Sequence, residues 1–186
     1  MKTTVLFLGA LALAASVSAQ TAPAATSPEI DLALLAAPAQ LAAGATVIKW
    51  KPDFTYDTLR KGTNQMVCFD KSTMPGQQPF SIECASSILN MDRIVQNMKA
   101  EAEPDRPKRT AMLQAMEKDG TRAKPQYGSV WYHLMGKDRA TARTHMTVAL
   151  PGATAASTGL PDNGKVGGAW VMDAGTSSAH MMIPGE

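Results

Sequence analysis

The feature that most constrains this chain is its first nineteen residues. Lys2 carries a positive charge, Val5 to Ala15 is an uncharged run rich in Leu and Ala, and Val17-Ser18-Ala19 places small residues ahead of Gln20. These are the three zones of a secretory signal peptide with its cleavage site. The apolar run is about 11 residues, whereas a membrane-spanning helix needs roughly 20. The sequence therefore predicts cleavage between Ala19 and Gln20 and a mature protein that is periplasmic or secreted, with no membrane span. No Cys follows the cleavage site to mark a lipoprotein.

Export sets the redox setting for the two cysteines, Cys68 and Cys84. In an oxidising compartment a lone pair predicts a disulfide. The spacing is neither C-x-x-C nor a zinc pattern. The flanking segments QMVCFD and FSIECAS both read as strands, and neighbouring antiparallel strands bring Cα atoms within bridging distance.

About 167 residues remain after cleavage, enough for one domain with a substantial core. The net charge falls from +2 to +1 when Lys2 is lost. Near-neutrality gives no strong pull toward nucleic acid or an anionic membrane. Residues 20–29 read as a flexible leader and 30–186 as the domain. Ile30 to Ala36 suits a short helix or an edge strand, and APAQLAA a single helical turn. Four strands then follow, over Thr46–Trp50, Phe54–Leu59, Gln65–Phe69 and Phe80–Ala85, and short turns between them favour an antiparallel meander.

The period then changes. Ile88, Met91, Val95, Met98 and Ala102 fall at helical spacing, with Asp92, Arg93, Gln96, Asn97 and Lys99 between them. Ser86 or Ser87 can cap this helix and Pro104 stops it. Pro107 opens a second, which carries Met112, Leu113 and Met116 toward a core and ends at Gly120. Residues 129–135 and 144–150 return to strand, 151–168 form a long surface loop, and 169–173 with 179–183 make a closing hairpin. Strands, then helices, then strands predict an α+β fold: one mainly antiparallel sheet with two amphipathic helices inserted in the middle.

Chemistry has few places to sit. The three histidines, His133, His145 and His180, all lie in predicted strands. His180 and Met182 share a strand face, and imidazole with thioether suits copper. His145, His180 and Met182 are thus the binding candidates, with catalytic residues unassigned. No H-x-H, H-E-x-x-H or cupredoxin set appears, so no metal and no cofactor is assigned. Gly175-Thr176-Ser177-Ser178-Ala179 approaches a nucleophile elbow but leaves too little chain for the helix that must follow. The Gly-rich run 162–168 lacks P-loop spacing and reads as a loop. Arg106, Lys108, Arg109, Lys118, Arg122 and Lys124, interrupted by acids, read as a solvated face.

The segments AAPAQLAAGATVIKW, KGTNQMVCF and the later Glu-Cys resemble a loose group of uncharacterised exported bacterial proteins. The pattern of His145 ahead of Pro151, and of Ala179-His180 ahead of Ile183-Pro184, is similar as well. The resemblance implies export and a single α+β domain and names no reaction. The reading that follows is a non-catalytic exported domain that binds a small ligand or an envelope partner. The alternative is a small periplasmic enzyme or a copper-type metal-binding protein using His145 and His180.

Overall fold

The computed structural model describes residues 27–185. The expected signal peptide at 1–19 and most of the expected leader lie outside the described residues. Described residues form an α+β domain around one eight-stranded sheet. The strands are β1 (Thr46–Trp50), β2 (Tyr56–Arg60), β3 (Val67–Asp70), β4 (Phe80–Ala85), β5 (Val130–Gly136), β6 (Arg143–Ala149), β7 (Trp170–Met172) and β8 (His180–Pro184). Their order across the sheet is β2-β1-β3-β4-β5-β6-β8-β7.

The domain begins earlier than 30. Ser27 caps α1 (Pro28–Ala33) by accepting from Ile30 N, and Pro28 sits where a helix tolerates a missing N–H. Pro28 and Glu29 are therefore helix, not leader. A 3₁₀ turn (Leu34–Ala36) and α2 (Ala39–Ala42) follow. Together they cover the back of the sheet. Ile30 and Ala33 bury against Val47, and Leu34 and Leu41 against Met66, Cys68 and Cys84.

The antiparallel meander fails at one place, since β1 and β3 run parallel. β2 folds onto the outer edge of β1. The chain then crosses the end of β1 to start β3 on the other side. The crossing is pinned by polar bonds: Arg60 donates to the carbonyls of Ala42 and Ala45, and Thr63 N and Asn64 N donate to Gly44 O. Gly62 passes so close to the Gly44–Ala45 backbone that no Cβ would fit there. The other pairings are antiparallel, and the expected closing hairpin is β7 on β8.

The front face carries the main core. Ile48, Trp50, Val67, Phe69, Ala85 and Trp131 project from the strands onto Ile94 and Met98. Those two belong to α3 (Met91–Glu101), which Ser87 introduces through a short 3₁₀ turn. The expected helix is thus present and Met91, Val95 and Met98 pack on the core as expected, joined by Ile94, while Arg93 and Ala100 are also buried and Ile88 is exposed. The second helix, α4 (Arg106–Asp119), is capped by Asp105 and ended by Gly120 at φ 77°. It departs from expectation in that none of its residues is buried, and Met112 is 38% exposed. Pro104 ends the packed run, and α4 lies across the front of the sheet instead of on it. The 151–168 segment is not plain loop. It holds α5 (Ala155–Thr158), closed by a reciprocal Thr154–Ser157 capping box, and a 3₁₀ turn at Gly164–Val166.

Cys68 and Cys84 stand directly opposite each other on β3 and β4, with Cα atoms 4.1 Å apart, and form a disulfide. Both are fully buried beneath the N-terminal helices. The bridge spans 16 residues of sequence, a loop whose closure entropy is worth roughly 3 kcal/mol. Reducing it, or replacing both cysteines with Ala, is expected to lower unfolding free energy by about that amount, read as a shift in the urea midpoint with and without reductant.

Candidate functional site

A cavity of about 410 Å³ opens between the front of β4–β8 and the helices. Strand register builds its floor in rows. Glu83 stands opposite His133, which stands opposite His145. In the next row Ala85, Trp131, Thr147, Met182 and Trp170 follow one another, and in the third Ala149, His180 and Met172. Residues two apart on a strand share a face, so these rows all look the same way. The wall opposite is the α3 face Arg93, Ile94, Asn97, Met98 and Glu101, with Leu113 of α4, Arg122 and Pro125.

One end of the cavity is a buried charge network. Lys71 Nζ donates to Glu83 Oε2 at 2.6 Å, and Glu101 Oε2 lies 3.6 Å from the same ammonium. Lys71 and Glu83 are 5% and 6% exposed, so the pair is desolvated. Burial opposes ionisation of both, but each is held charged by its partner. Lys71 and His133 keep the Glu83 carboxyl well below the usual carboxylate range, and Glu83 and Glu101 keep the Lys71 ammonium above its ordinary value. The loop that delivers Lys71 packs on the end of α3. There Gly76, at φ 77°, leaves no room for a Cβ beside Glu101 O. His133 Nδ1 is 3.3 Å from Glu83 Oε2, at ion-pair distance but not aligned for a hydrogen bond. The His133 and His145 rings stack at 4.3 Å with 12° between planes. Burial, then the neighbouring His133, push the His145 imidazole down to about 4, so it is neutral near pH 7.

The other end is arginine-rich. Arg93 donates to Ala123 O at 3.0 Å and to Ser178 Oγ at 2.6 Å. Arg122 donates to Gln96 Oε1 at 3.2 Å and Asn97 Oδ1 at 2.5 Å. Each arginine is 6% exposed. Burial, then the charge of Arg122, lower the Arg93 guanidinium to about 10. Glu117 of α4 accepts from Ser177 N and Ser177 Oγ, tying that helix to the β7–β8 connection. His180 Nδ1 lies 2.7 Å from Ser178 O, which can only accept, so a neutral His180 has its proton on Nδ1 and a free acceptor at Nε2.

His133, His145, His180 and Met182 all line this cavity. The pairing, however, is not the expected one. His145 is opposite Pro184 and His180 is opposite Ala149, so their backbone positions are offset by four residues of strand, while the charge of His180 still acts on His145 within the shared cavity. The close partner of His145 is His133. Among the described residues no group of three or more His, Cys, Asp or Glu side chains is placed to hold a metal ion. The hydroxyls of Ser177 and Ser178 are engaged with Glu117 and Arg93 and bond no histidine ring. Four residues of the site escaped sequence reading. Lys71 sat in a loop, Glu83 in a strand, Arg93 among polar helix positions and Arg122 in a basic run. Arg122 is a correction: it is buried in the cavity wall, not solvated. A weak signal for Glu83 existed, since a lone Glu alternating with Ile82, Cys84 and Ala85 puts a charge on a strand buried on both faces.

No protein-family model, no curated protein and no solved structure matches this chain. Among the described residues no helix is long and apolar enough to cross a membrane.

The ion pair gives a direct test. Glu83→Gln leaves a buried ammonium with its main partner gone and is expected to cost about 3–5 kcal/mol. Lys71→Met combined with Glu83→Gln removes both charges and should recover most of that loss, measured by urea unfolding of the three proteins. His145 supplies a pH signature. Its folded pKa lies below the ordinary value near 6.5, so the unfolded chain takes up the proton first. Stability is full above about pH 6.5 and falls as pH drops toward 4. His145→Gln should flatten that limb of the curve, with Glu83 and Lys71 still charged across it.

Proposed function

We propose that this is an exported, non-catalytic domain whose role is to bind a small molecule in the cavity between the sheet and α3–α4. The observation that carries the reading is the cavity itself. Its volume, about 410 Å³, falls in the range of small-molecule sites, roughly 300–1,000 Å³. Like such sites it sets a few polar groups in an apolar lining: Ile94, Met98, Leu113, Trp131, Met172 and Met182 surround its histidines and arginines. The signal-peptide pattern, the disulfide and the resemblance to exported bacterial proteins support an address outside the cytoplasm.

Catalysis is the less supported reading. A general base works best with a pKa near the working pH. Glu83 is locked as a carboxylate by Lys71, and His145 is held at about 4. Both cysteines are bridged.

Trp131 offers a reporter, because its Nε1 is buried without a hydrogen-bond partner and its side chain lines the cavity. Titrating 1-octanol should shift the Trp131 indole N–H resonance saturably. Thr147→Phe, which fills the floor beside Trp131, should abolish the shift while melting cooperatively. An unmoved Trp131 resonance, or multiple turnover on a broad substrate panel far above background, would overturn the reading.

A further inference from the structure

The two arginines carry an inference that rests on the cavity reading and sharpens it. A guanidinium has five N–H donors and stays charged in proteins. Arg93 and Arg122 each make two hydrogen bonds to the protein, all to neutral acceptors: two main-chain or hydroxyl oxygens for Arg93 and two side-chain amide oxygens for Arg122. Arg122 Nε is buried with no acceptor at all. Both side chains are more than nine-tenths buried, and both line the cavity.

Buried charges are ordinarily paired, because desolvating an ion without a counter-charge costs several kcal/mol. The other buried cation here, Lys71, obeys that rule with Glu83 and Glu101. The arginines do not. Among the described residues no carboxylate comes within 4.0 Å of either guanidinium, although Glu117 and Asp173 act on both and Glu101 on Arg122 at longer range, and Glu101 and Asp173 line the same cavity. Asp173 is exposed and screened by solvent, and Glu117 is already bonded to Ser177. Gln96 and Asn97 instead fix the Arg122 fork by its Nη atoms, and Ala123 O and Ser178 Oγ orient that of Arg93. Two like charges are thus held in one wall with donors to spare and no contact anion.

We infer that Arg93 and Arg122 seat the carboxylate of a small ligand whose apolar body lies along Met98, Trp131 and Met182. A guanidinium matches a carboxylate in a planar, two-bond geometry. A single negative charge is the complement chosen, because Asp173 and Glu101 in the same cavity lining and Glu117 beside it would oppose a more highly charged group. The apolar rows between the arginine end and the Lys71–Glu83 end give such a ligand a body of mainly hydrocarbon or aromatic character.

The test compares one chain length with four head groups on the intact mature protein, followed at the Trp131 indole resonance: octanoate, 1-octanol, octylamine and octyl phosphate. Octanoate should bind about tenfold or more tighter than 1-octanol, with octylamine weakest. Arg93→Gln and Arg122→Gln should each bring the ratio of octanoate to 1-octanol affinity down toward one. Thermal melts establish that the variants fold, and the wild-type ratio decides the matter if either does not. Equal binding of octanoate and 1-octanol would sink the carboxylate seat while leaving the cavity reading intact. Octyl phosphate binding about tenfold tighter than octanoate would overturn the choice of a single charge. If none of the four moves Trp131, the cavity reading itself fails.

Discussion

A carboxylate and an ammonium sealed into a protein interior cannot change places with water cheaply. The Lys71–Glu83 pair therefore fixes what surrounds it. Glu83 sits on β4 between Ile82 and Cys84, both fully buried on the opposite face. A one-residue slip of β4 against its neighbours would turn the carboxylate into the N-terminal helices and the cysteine into the cavity. The ion pair and the disulfide thus act on opposite faces of one strand and enforce the same register. That register carries across the sheet through Glu83–His133–His145, and with it the alignment of every row in the cavity floor.

The two halves of the sheet are finished differently. Around β1, β3 and β4 both faces are covered. α1 and the following 3₁₀ turn close the back, and α3 closes the front over Trp50, Phe69 and Met74. Trp50 meets Phe69 edge to face at 5.3 Å within that core. Toward β6, β8 and β7 the front is spanned by α4, which buries none of its own residues. A helix that contributes a half-buried Leu113 and a hydrogen-bonded Glu117, and little else, bridges the sheet without filling the space beneath it. The cavity is the consequence of that thin contact.

The disulfide and the order of strands and helices could be read along the chain because each rests on local chemistry: two cysteines in strands, and a shift of hydrophobic period at Ile88. The parallel β1–β3 pair could not, since it depends on Arg60 reaching the carbonyls of Ala42 and Ala45, and on Thr63 and Asn64 reaching that of Gly44, across the crossover. The site was legible only as a set of residue types. His145 and His180 were visible as imidazoles on strands. Whether they meet is decided by the offset of β8 on β6, which no local pattern encodes. Arg93 and Arg122 were hidden for a different reason. In sequence a basic residue on a helix or beyond its end looks solvated, and only the tertiary structure shows that Gln96, Asn97, Ala123 and Ser178 have drawn these two inward.

That inward placement is difficult to explain as stabilisation. A buried ion pair is often no better for folding than an apolar pair of the same shape, and a buried cation without a contact anion is worse. Lys71 has a reason to be inside: with Glu83 it closes one end of the cavity and sets the strand register. The arginines set no register, and the groups holding them are neutral acceptors that fix direction without neutralising charge. Structures that hold polar groups in unfavourable surroundings concentrate them where a ligand completes the set. The asymmetry between one cation with a contact anion and two without one gives the cavity a direction, from the Lys71–Glu83 pair to the arginine pair. A ligand lying along it would meet its charge complement at one end only.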